Sequence, residues 1–323
     1  MQNTAPTNLI PDKRSYYVTK WGAAYYGDAM ELSKLIRDNK IDLIITSPPF
    51  ALVRQKKYGH SFDHVDAEEY VEWFQPFAKE FKRILKPQGS LVVHIGGSWN
   101  QGQPTKSLYH FELLLSLCKD VGFKLAQDFY WFNPAKFPSP AEWATVKRIR
   151  AKDAVDPIWW LCKDPQGETK ADNKRVLWSY SDSMIDLLKR AKYNAGRRPS
   201  GYDVSPTSFL HKHHGAIPPN LLPFPNTKSN GSYLRYCKEY GLVVNPARFP
   251  VELPDFFIRF LSEKNDVVLD PFAGSNTTGY AAEKMERRWL AFEIYEDYLK
   301  GSKFRFFTPT ELGLDTNKSG MKP

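Results

Sequence analysis

Apolar residues fall along this chain in two rhythms, and their alternation predicts the fold. Short apolar runs at 24–27, 41–45, 91–95, 267–269 and 289–292 have the length and residue content of buried strands. Between them, apolar residues recur every three or four positions, the helical period. One such stretch begins at Asp28 and carries Met30, Leu32, Leu35 and Ile36. Another has Asp66 with Glu69 three residues on, a capping-box-like start, followed by Tyr70, Phe74, Phe77, Phe81 and Leu85 on one face. Pro87 and Gly89 are expected to end it, and the aromatic stripe is read as core. After a strand at 90–95, Phe111, Leu114, Leu115 and Cys118 mark a further amphipathic helix, closed by Gly122. The β-rich runs 123–132 and 155–162 have no clear long helix between them, so they are expected to pair antiparallel. Pro254 opens a helix with Phe256, Phe257, Phe260 and Leu261. The alternation predicts an α/β fold: a Rossmann-like, mostly parallel sheet with one antiparallel strand, assembled from both halves of the chain.

Two of these strands end in candidate chemistry. The run at 41–45 leads into Thr46-Ser47-Pro48-Pro49-Phe50, a strand that stops at two prolines and leaves a rigid loop where open α/β sheets bind ligands. Pro48 and Pro49 lack backbone donors, so the loop offers carbonyl acceptors. Ser47 adds a hydroxyl and Phe50 a ring face, a set suited to a flat amine on an aromatic ring. The strand at 267–269 leads into Asp270-Pro271-Phe272-Ala273-Gly274-Ser275-Asn276-Thr277-Thr278-Gly279, a βα turn of small residues that a bound cofactor can approach closely. The next apolar run ends in Glu293, 23 residues after Asp270, near the interval at which doubly wound folds place a carboxylate on ribose hydroxyls. Neither GxGxxG nor GxxxxGK[ST] is present, which argues against a dinucleotide fingerprint and a P-loop.

The Ser47–Phe50 segment resembles motif IV of DNA amino-methyltransferases, in the Ser-Pro-Pro-aromatic form associated with cytosine N4. The Asp270–Thr278 turn resembles motif I of the same S-adenosylmethionine (SAM) dependent enzymes, with Asn276 where glycine is common. The catalytic motif precedes the cofactor motif, the permuted order of the β group, and the chain resembles PvuII-type cytosine-N4 modification methylases. The likeness extends through Tyr26-Gly27-Asp28-Ala29, Trp131-Phe132-Asn133-Pro134, Pro138-Ser139-Pro140, Ile149-Arg150 and Asn245-Pro246-Ala247-Arg248-Phe249-Pro250. It implies catalysis by Ser47, Pro48, Pro49 and Phe50, and SAM binding by Asp28, Asp270, Phe272, Gly274, Ser275, Asn276, Thr277 and Glu293. Phe272 would pack on the cofactor and Asp28 would accept from its adenine amine. An ordinary core aromatic and a helix N-cap are the alternatives for these two. At the end of the strand at 91–95 the resemblance leads one to expect an acid; His94 stands there. A neutral imidazole can also receive an amine proton, and a hydrogen-bonded strand-end histidine is the alternative. The implied reaction is direct methyl transfer to the N4 amine of a flipped cytosine in double-stranded DNA, within a restriction-modification system. Adenine-N6 methylation on the same scaffold, and a DNA-binding regulator that has lost catalysis, remain alternatives.

Charge and cysteines narrow the picture. The formal charge is +9, from 45 Lys+Arg against 36 Asp+Glu, which favours an anionic partner, and no apolar run is long enough to cross a membrane. Residues 163–244 carry 13 Lys+Arg against 7 Asp+Glu, so +6 of that charge sits in a poorly periodic insert suited to phosphate contact. The expected organisation is a catalytic region at 14–162, target recognition at 163–244, a SAM-binding region at 245–307 completing the catalytic domain, and a loose tail at 308–323. The three cysteines are far apart, with no CxxC, so neither a disulfide framework nor a metal site is expected. None follows a proline, which excludes the Pro-Cys nucleophile of cytosine-C5 enzymes. With no signal-peptide pattern at the N-terminus, a cytoplasmic location is expected, and a cognate restriction endonuclease would act on the same DNA site without direct contact.

Overall fold

In the computed structural model, residues 6–51, 67–164, 166–226 and 231–314 are described. The strands are β1 (Tyr17–Val18), β2 (Gly22–Tyr26), β3 (Ile41–Thr46), β4 (Leu85–His94), β5 (Lys124–Phe132) and β6 (Val155–Cys162), then β7 (Gly196–Arg197), β8 (Asp203–Val204), β9 (Leu221–Leu222), β10 (Val267–Asp270) and β11 (Arg288–Glu293). The helices are α1 (Ala29–Lys34), α2 (Tyr70–Ile84), α3 (Tyr109–Lys119), α4 (Asp182–Arg190), α5 (Ser232–Glu239), α6 (Glu252–Leu261), α7 (Thr277–Lys284) and α8 (Glu296–Ser302). Nine strands form one sheet in the order β1-β2-β11-β10-β3-β4-β6-β5-β9, while β7 and β8 pair only with each other. From β2 to β4 the strands run parallel, and β6 is antiparallel to both β4 and β5. A second antiparallel strand, the short β1, closes the other edge.

This order brings the two halves of the chain together at the centre of the sheet. β10 pairs with β3, setting Leu269 opposite Ile44, so the carboxyl ends of the strands leading to Ser47 and to Pro271 are adjacent. Every residue of β3 and β10 is buried, as expected of parallel strands covered on both faces. The α2 stripe behaves as core: Tyr70, Phe74, Phe77 and Phe81 are all buried.

Two local expectations are corrected, and a third falls partly outside the described residues. Pro87 and Gly89 do not follow a helix end across a gap, because α2 stops at Ile84 and β4 begins at once. A register shift between Ile41 and Leu43 of β3 absorbs the proline and the glycine. In α3 the buried face is Tyr109, Leu113, Ser116 and Leu117, whereas Phe111 and Leu115 point outward at 55% and 51% exposure. The apolar residues wrap most of that helix, so periodicity alone did not fix the phase. Glu69 precedes α2 without a side-chain cap, and its proposed partner Asp66 lies outside the described residues.

The chain packs as two compact units, one of residues 1–170 and 220–323, the other of residues 171–219. The small unit holds α4, β7 and β8, a bridge between Trp178 and Ala216, and a hydrogen bond from His213 N to Tyr180 Oη of 2.9 Å. Segment 220–244 belongs to the large unit: β9 adds to the sheet beside β5, and α5 packs Tyr233 and Cys237 on Phe304. Leu312 and Leu314 pack on the same cluster, so 308–314 is not loose, while 315–323 lies outside the described residues.

Candidate active site

A cleft opens at the carboxyl ends of β3, β10 and β11. Ser47, Pro48, Pro49, Phe50, Phe272, Gly274, Ser275, Thr277 and Glu293 all line it. Nine of the twelve residues expected from sequence thus share one surface, although the first four are more than two hundred positions from the rest.

The other three are not part of its lining. Asp28 caps α1, its Oδ1 accepting from the backbone of Met30 at 2.8 Å and Glu31 at 3.2 Å. That is the geometry of the helix-cap alternative, and its neighbours Gly27 and Ala29 line the cleft. Asp270 is fully buried. Its Oδ1 accepts from Thr46 Oγ1 at 3.1 Å and Phe272 N at 3.2 Å, and its Oδ2 from Thr278 Oγ1 at 2.6 Å. Through these bonds it ties the last residue before Ser47 to the turn that opens α7. Burial pushes its carboxyl up to about 6. Asn276 sits in the left-handed region at φ 53° and caps α7, its Oδ1 accepting from Gly279 N at 3.0 Å while its Nδ2 donates to Tyr17 Oη at 2.9 Å. Asparagine tolerates that conformation better than most residues, which accounts for Asn or Gly here.

The cofactor side of the cleft has the features of a nucleoside site. Glu293 is buried, its Oε2 accepting from Gly274 N at 2.6 Å and its Oε1 from Tyr295 N at 2.9 Å, with the Ile294 backbone as a further donor and acceptor capacity left for a ligand hydroxyl. Burial pushes this carboxyl up to about 7 against the pull of those backbone donors. Gly274 has φ 53°, and a Cβ there would collide with the side-chain amide of Asn245, so the turn and the 245–250 loop meet backbone to side chain. Phe272 lines the cleft and packs on Phe77, centroid to centroid 5.4 Å, as the core-aromatic alternative requires.

On the catalytic side, Tyr70 Oη donates to the Pro49 carbonyl at 2.6 Å, which leaves the Pro48 carbonyl as the candidate acceptor beside Ser47. Gly96 makes room for Phe50: a Cβ there would lie 2.6 Å from the ring. His94 Nδ1 is 3.0 Å from Ser47 Oγ, and its ring lies edge-on to Phe50 and Trp131. Its Nε2 faces Asp156 Oδ2 at 3.9 Å. Lys136 Nζ bonds both oxygens of Asp156, at 3.0 and 3.1 Å. Burial pushes the Asp156 carboxyl up, but His94 and Lys136 outweigh it and hold the group at about 2.

Sequence reasoning missed two arginines. Arg248 lines the cleft and bonds the Asn245 carbonyl. Arg305 is half-buried, donating from Nε to Ser275 O at 2.6 Å and from Nη2 to Ser275 Oγ at 2.9 Å, and desolvation pulls it down to about 10. The resemblance around Asn245–Pro250 pointed toward Arg248, whereas no local pattern marks Arg305. Among the described residues, no three of His, Cys, Asp and Glu are grouped to hold a metal, and no helix is long and apolar enough to cross a membrane.

Comparison with known proteins sets this geometry in context. A family model described as DNA methylase matches residues 41–304. The type II methyltransferase M.PvuII of Proteus hauseri is 48% identical over 312 residues, covering 96% of this chain and 89% of that protein. A solved structure of PvuII DNA methyltransferase (cytosine-N4-specific) superposes with a TM-score of 0.74 at 42% identity, covering 92% of this chain and 90% of that one. A putative DNA modification methylase of Thermus thermophilus, solved with S-adenosyl-L-methionine, shares the fold at 21% identity and a TM-score of 0.55, covering 93% and 99% of the two chains.

Proposed function

Because the chain belongs to the DNA methylase family, we propose that it transfers a methyl group from SAM to the exocyclic N4 amine of cytosine in double-stranded DNA, as the modification enzyme of a restriction-modification system. The observation that carries this reading is the meeting of the Ser47–Phe50 loop and the Phe272–Thr277 turn in one cleft, with Asp270 bonded across to Thr46. The cytosine-N4-specific PvuII DNA methyltransferase, alike over nearly the whole chain, supports cytosine N4 over other targets. A cognate endonuclease acts on the same DNA site, and both work in the cytoplasm with the DNA.

The chemistry turns on a poor nucleophile. The cytosine amine shares its lone pair with the ring, and inside a duplex it cannot reach the cleft, so the base is flipped out. Phe50 stacks on the flipped base. Ser47 Oγ and the Pro48 carbonyl accept the two amine hydrogens, favouring a pyramidal nitrogen whose lone pair faces the methyl donor; such positioning and charge stabilisation can each contribute several kcal/mol. When bound, SAM supplies an electrophilic methyl group on a sulfonium. Glu293 would accept from its ribose hydroxyls, Phe272 would pack on it, and the Gly274–Thr277 backbone would wall the site. Residues 14–162 and 245–307 do this work, and 163–244 reads the target. Within that region the compact unit 171–219 carries eight Lys+Arg against four Asp+Glu, a balance that supports phosphate contact.

Expression in a bacterium whose DNA lacks N4-methylcytosine, followed by mass spectrometry of its nucleosides, tests the reading. N4-methylcytosine should appear with the intact gene and be absent without it. N6-methyladenine instead, or no new nucleoside, would overturn it.

A further inference from the structure

The structure surrounds Ser47 with more machinery than amine binding requires. Ser47 Oγ lies 3.0 Å from His94 Nδ1, at the end of β4. On the far side of the ring, Nε2 is buried, without a hydrogen-bond partner among the described residues, and faces Asp156 Oδ2 of β6 at 3.9 Å. Lys136, from the turn after β5, grips both Asp156 oxygens. The register of the sheet builds this row, since His94 pairs with Ile158, two residues from Asp156 on the neighbouring strand. Phe50, Trp131 and Phe249 close round the imidazole with ring centroids at 5.4, 5.3 and 6.2 Å.

We propose, resting on the methyl transfer inferred above, that His94 and Asp156 form a proton relay behind Ser47, which fixes the serine hydroxyl toward the ring and carries away the proton that the amine must lose. A carboxylate is an acceptor only, so Asp156 favours the tautomer with its proton on Nε2. Nδ1 is then the acceptor. Ser47 Oγ–H donates to it, and the serine lone pairs turn toward the cleft, where an amine hydrogen can be accepted. As the new N–C bond forms and the sulfonium S–C bond breaks, with its electron pair remaining on sulfur, the amine nitrogen becomes cationic. One of its protons passes to Ser47 Oγ while the serine proton passes to Nδ1. The product is a neutral methylamine, a restored serine and an imidazolium facing Asp156, which returns its proton to solvent before the next turnover. His94 acts through Ser47 and is a positioning residue.

The low position of Asp156 agrees with this arrangement, because it remains a carboxylate wherever the enzyme works. The groups that face His94 are Asp156 from β6, Lys136 behind it, and the Ser47 hydroxyl from the loop after β3.

The test is single-turnover methyl transfer against pH, with SAM and DNA affinities measured in parallel for wild type, His94→Asn and Asp156→Asn. Wild type should lose rate as pH falls, along a limb set by one proton. His94→Asn should fall about 10-fold or more and lose that limb. Asp156→Asn should be slower, with its limb moved to lower pH because the imidazolium has lost its counter-charge. Both variants should bind SAM and DNA within about twofold of wild type. Should His94→Asn fail to fold, the limb shift in Asp156→Asn still decides the matter. An Asp156→Asn limb at the wild-type position, or wild-type rate and limb in His94→Asn, overturns the relay alone. Absence of methylated amine with the wild-type enzyme overturns the function on which it rests, and the relay with it.

Discussion

At the residue scale, the account turns on two groups, one on each side of the cleft. Ser47 contributes a hydrogen bond that counts in the transition state rather than in binding. Ser47→Ala should therefore leave SAM affinity nearly intact and slow methyl transfer by about 10-fold or more. Comparing SAM titration with single-turnover rates checks this; equal losses in both would remove the serine from the chemistry. Glu293 carries a pH dependence of opposite sign to that of most acids. Its carboxyl rises from 4.5 unfolded to about 7 folded, so the folded protein holds this proton more tightly. The resulting stabilisation is full below about pH 4.5 and is lost as pH rises through about 7, with a magnitude on the order of 3 kcal/mol. Asp270, pushed up to about 6, adds in the same direction. Glu293→Gln should flatten the fall in stability of the SAM-free protein between about pH 5 and pH 8, as read by urea denaturation. The same change should weaken SAM binding by about 1.5–3 kcal/mol, the scale of hydrogen bonds to a charged group. Unchanged SAM affinity in the folded variant would move the ribose elsewhere.

At the element scale, strands that run straight into chemistry were the most legible parts of the sequence. Continuous apolar runs at β3 and β10 followed by proline announce buried strands and their loops, and both loops line the cleft. Helix faces were less legible where apolar residues covered most of the circumference: α2 reads correctly because its aromatics leave one side polar, whereas α3 does not. The row from Ser47 through His94 to Asp156 could not be read, because it depends on register between strands more than sixty residues apart. Arg305 escaped for a related reason, since its partner Ser275 is thirty positions upstream. The α7 turn carries its own prediction. Asn276 combines a left-handed backbone with a side-chain cap. Asn276→Gly should cost less stability than Asn276→Ala, which loses the cap and strains the backbone, about 1–2 kcal/mol in all. Chemical denaturation of the two variants checks the order, and an alanine variant as stable as wild type would show that the cap contributes nothing.

At the scale of the whole molecule, the charge is divided unevenly. The small unit 171–219 carries a net excess of basic residues among short strands and loops, while the large unit holds the sheet and the cleft. If Arg197 and Arg198 contact phosphates, replacing both with alanine should weaken binding about equally across DNA sequences. It should also reduce the slope of log K against log salt by about 1 for each phosphate no longer neutralised, with SAM affinity unchanged. An unchanged slope would assign this pair to a solvated face. The claim that joins both units is that one cleft methylates a flipped cytosine at N4. The most direct measurement supplies the purified chain with methyl-labelled SAM and unmodified duplex DNA, then digests the DNA and locates the label among the nucleosides. Label should appear on N4-methylcytosine with the wild-type chain, and about 10-fold or more slowly with Ser47→Ala under SAM saturation. Label on another position of cytosine or on adenine, or no label while SAM and DNA are both bound, would contradict the account.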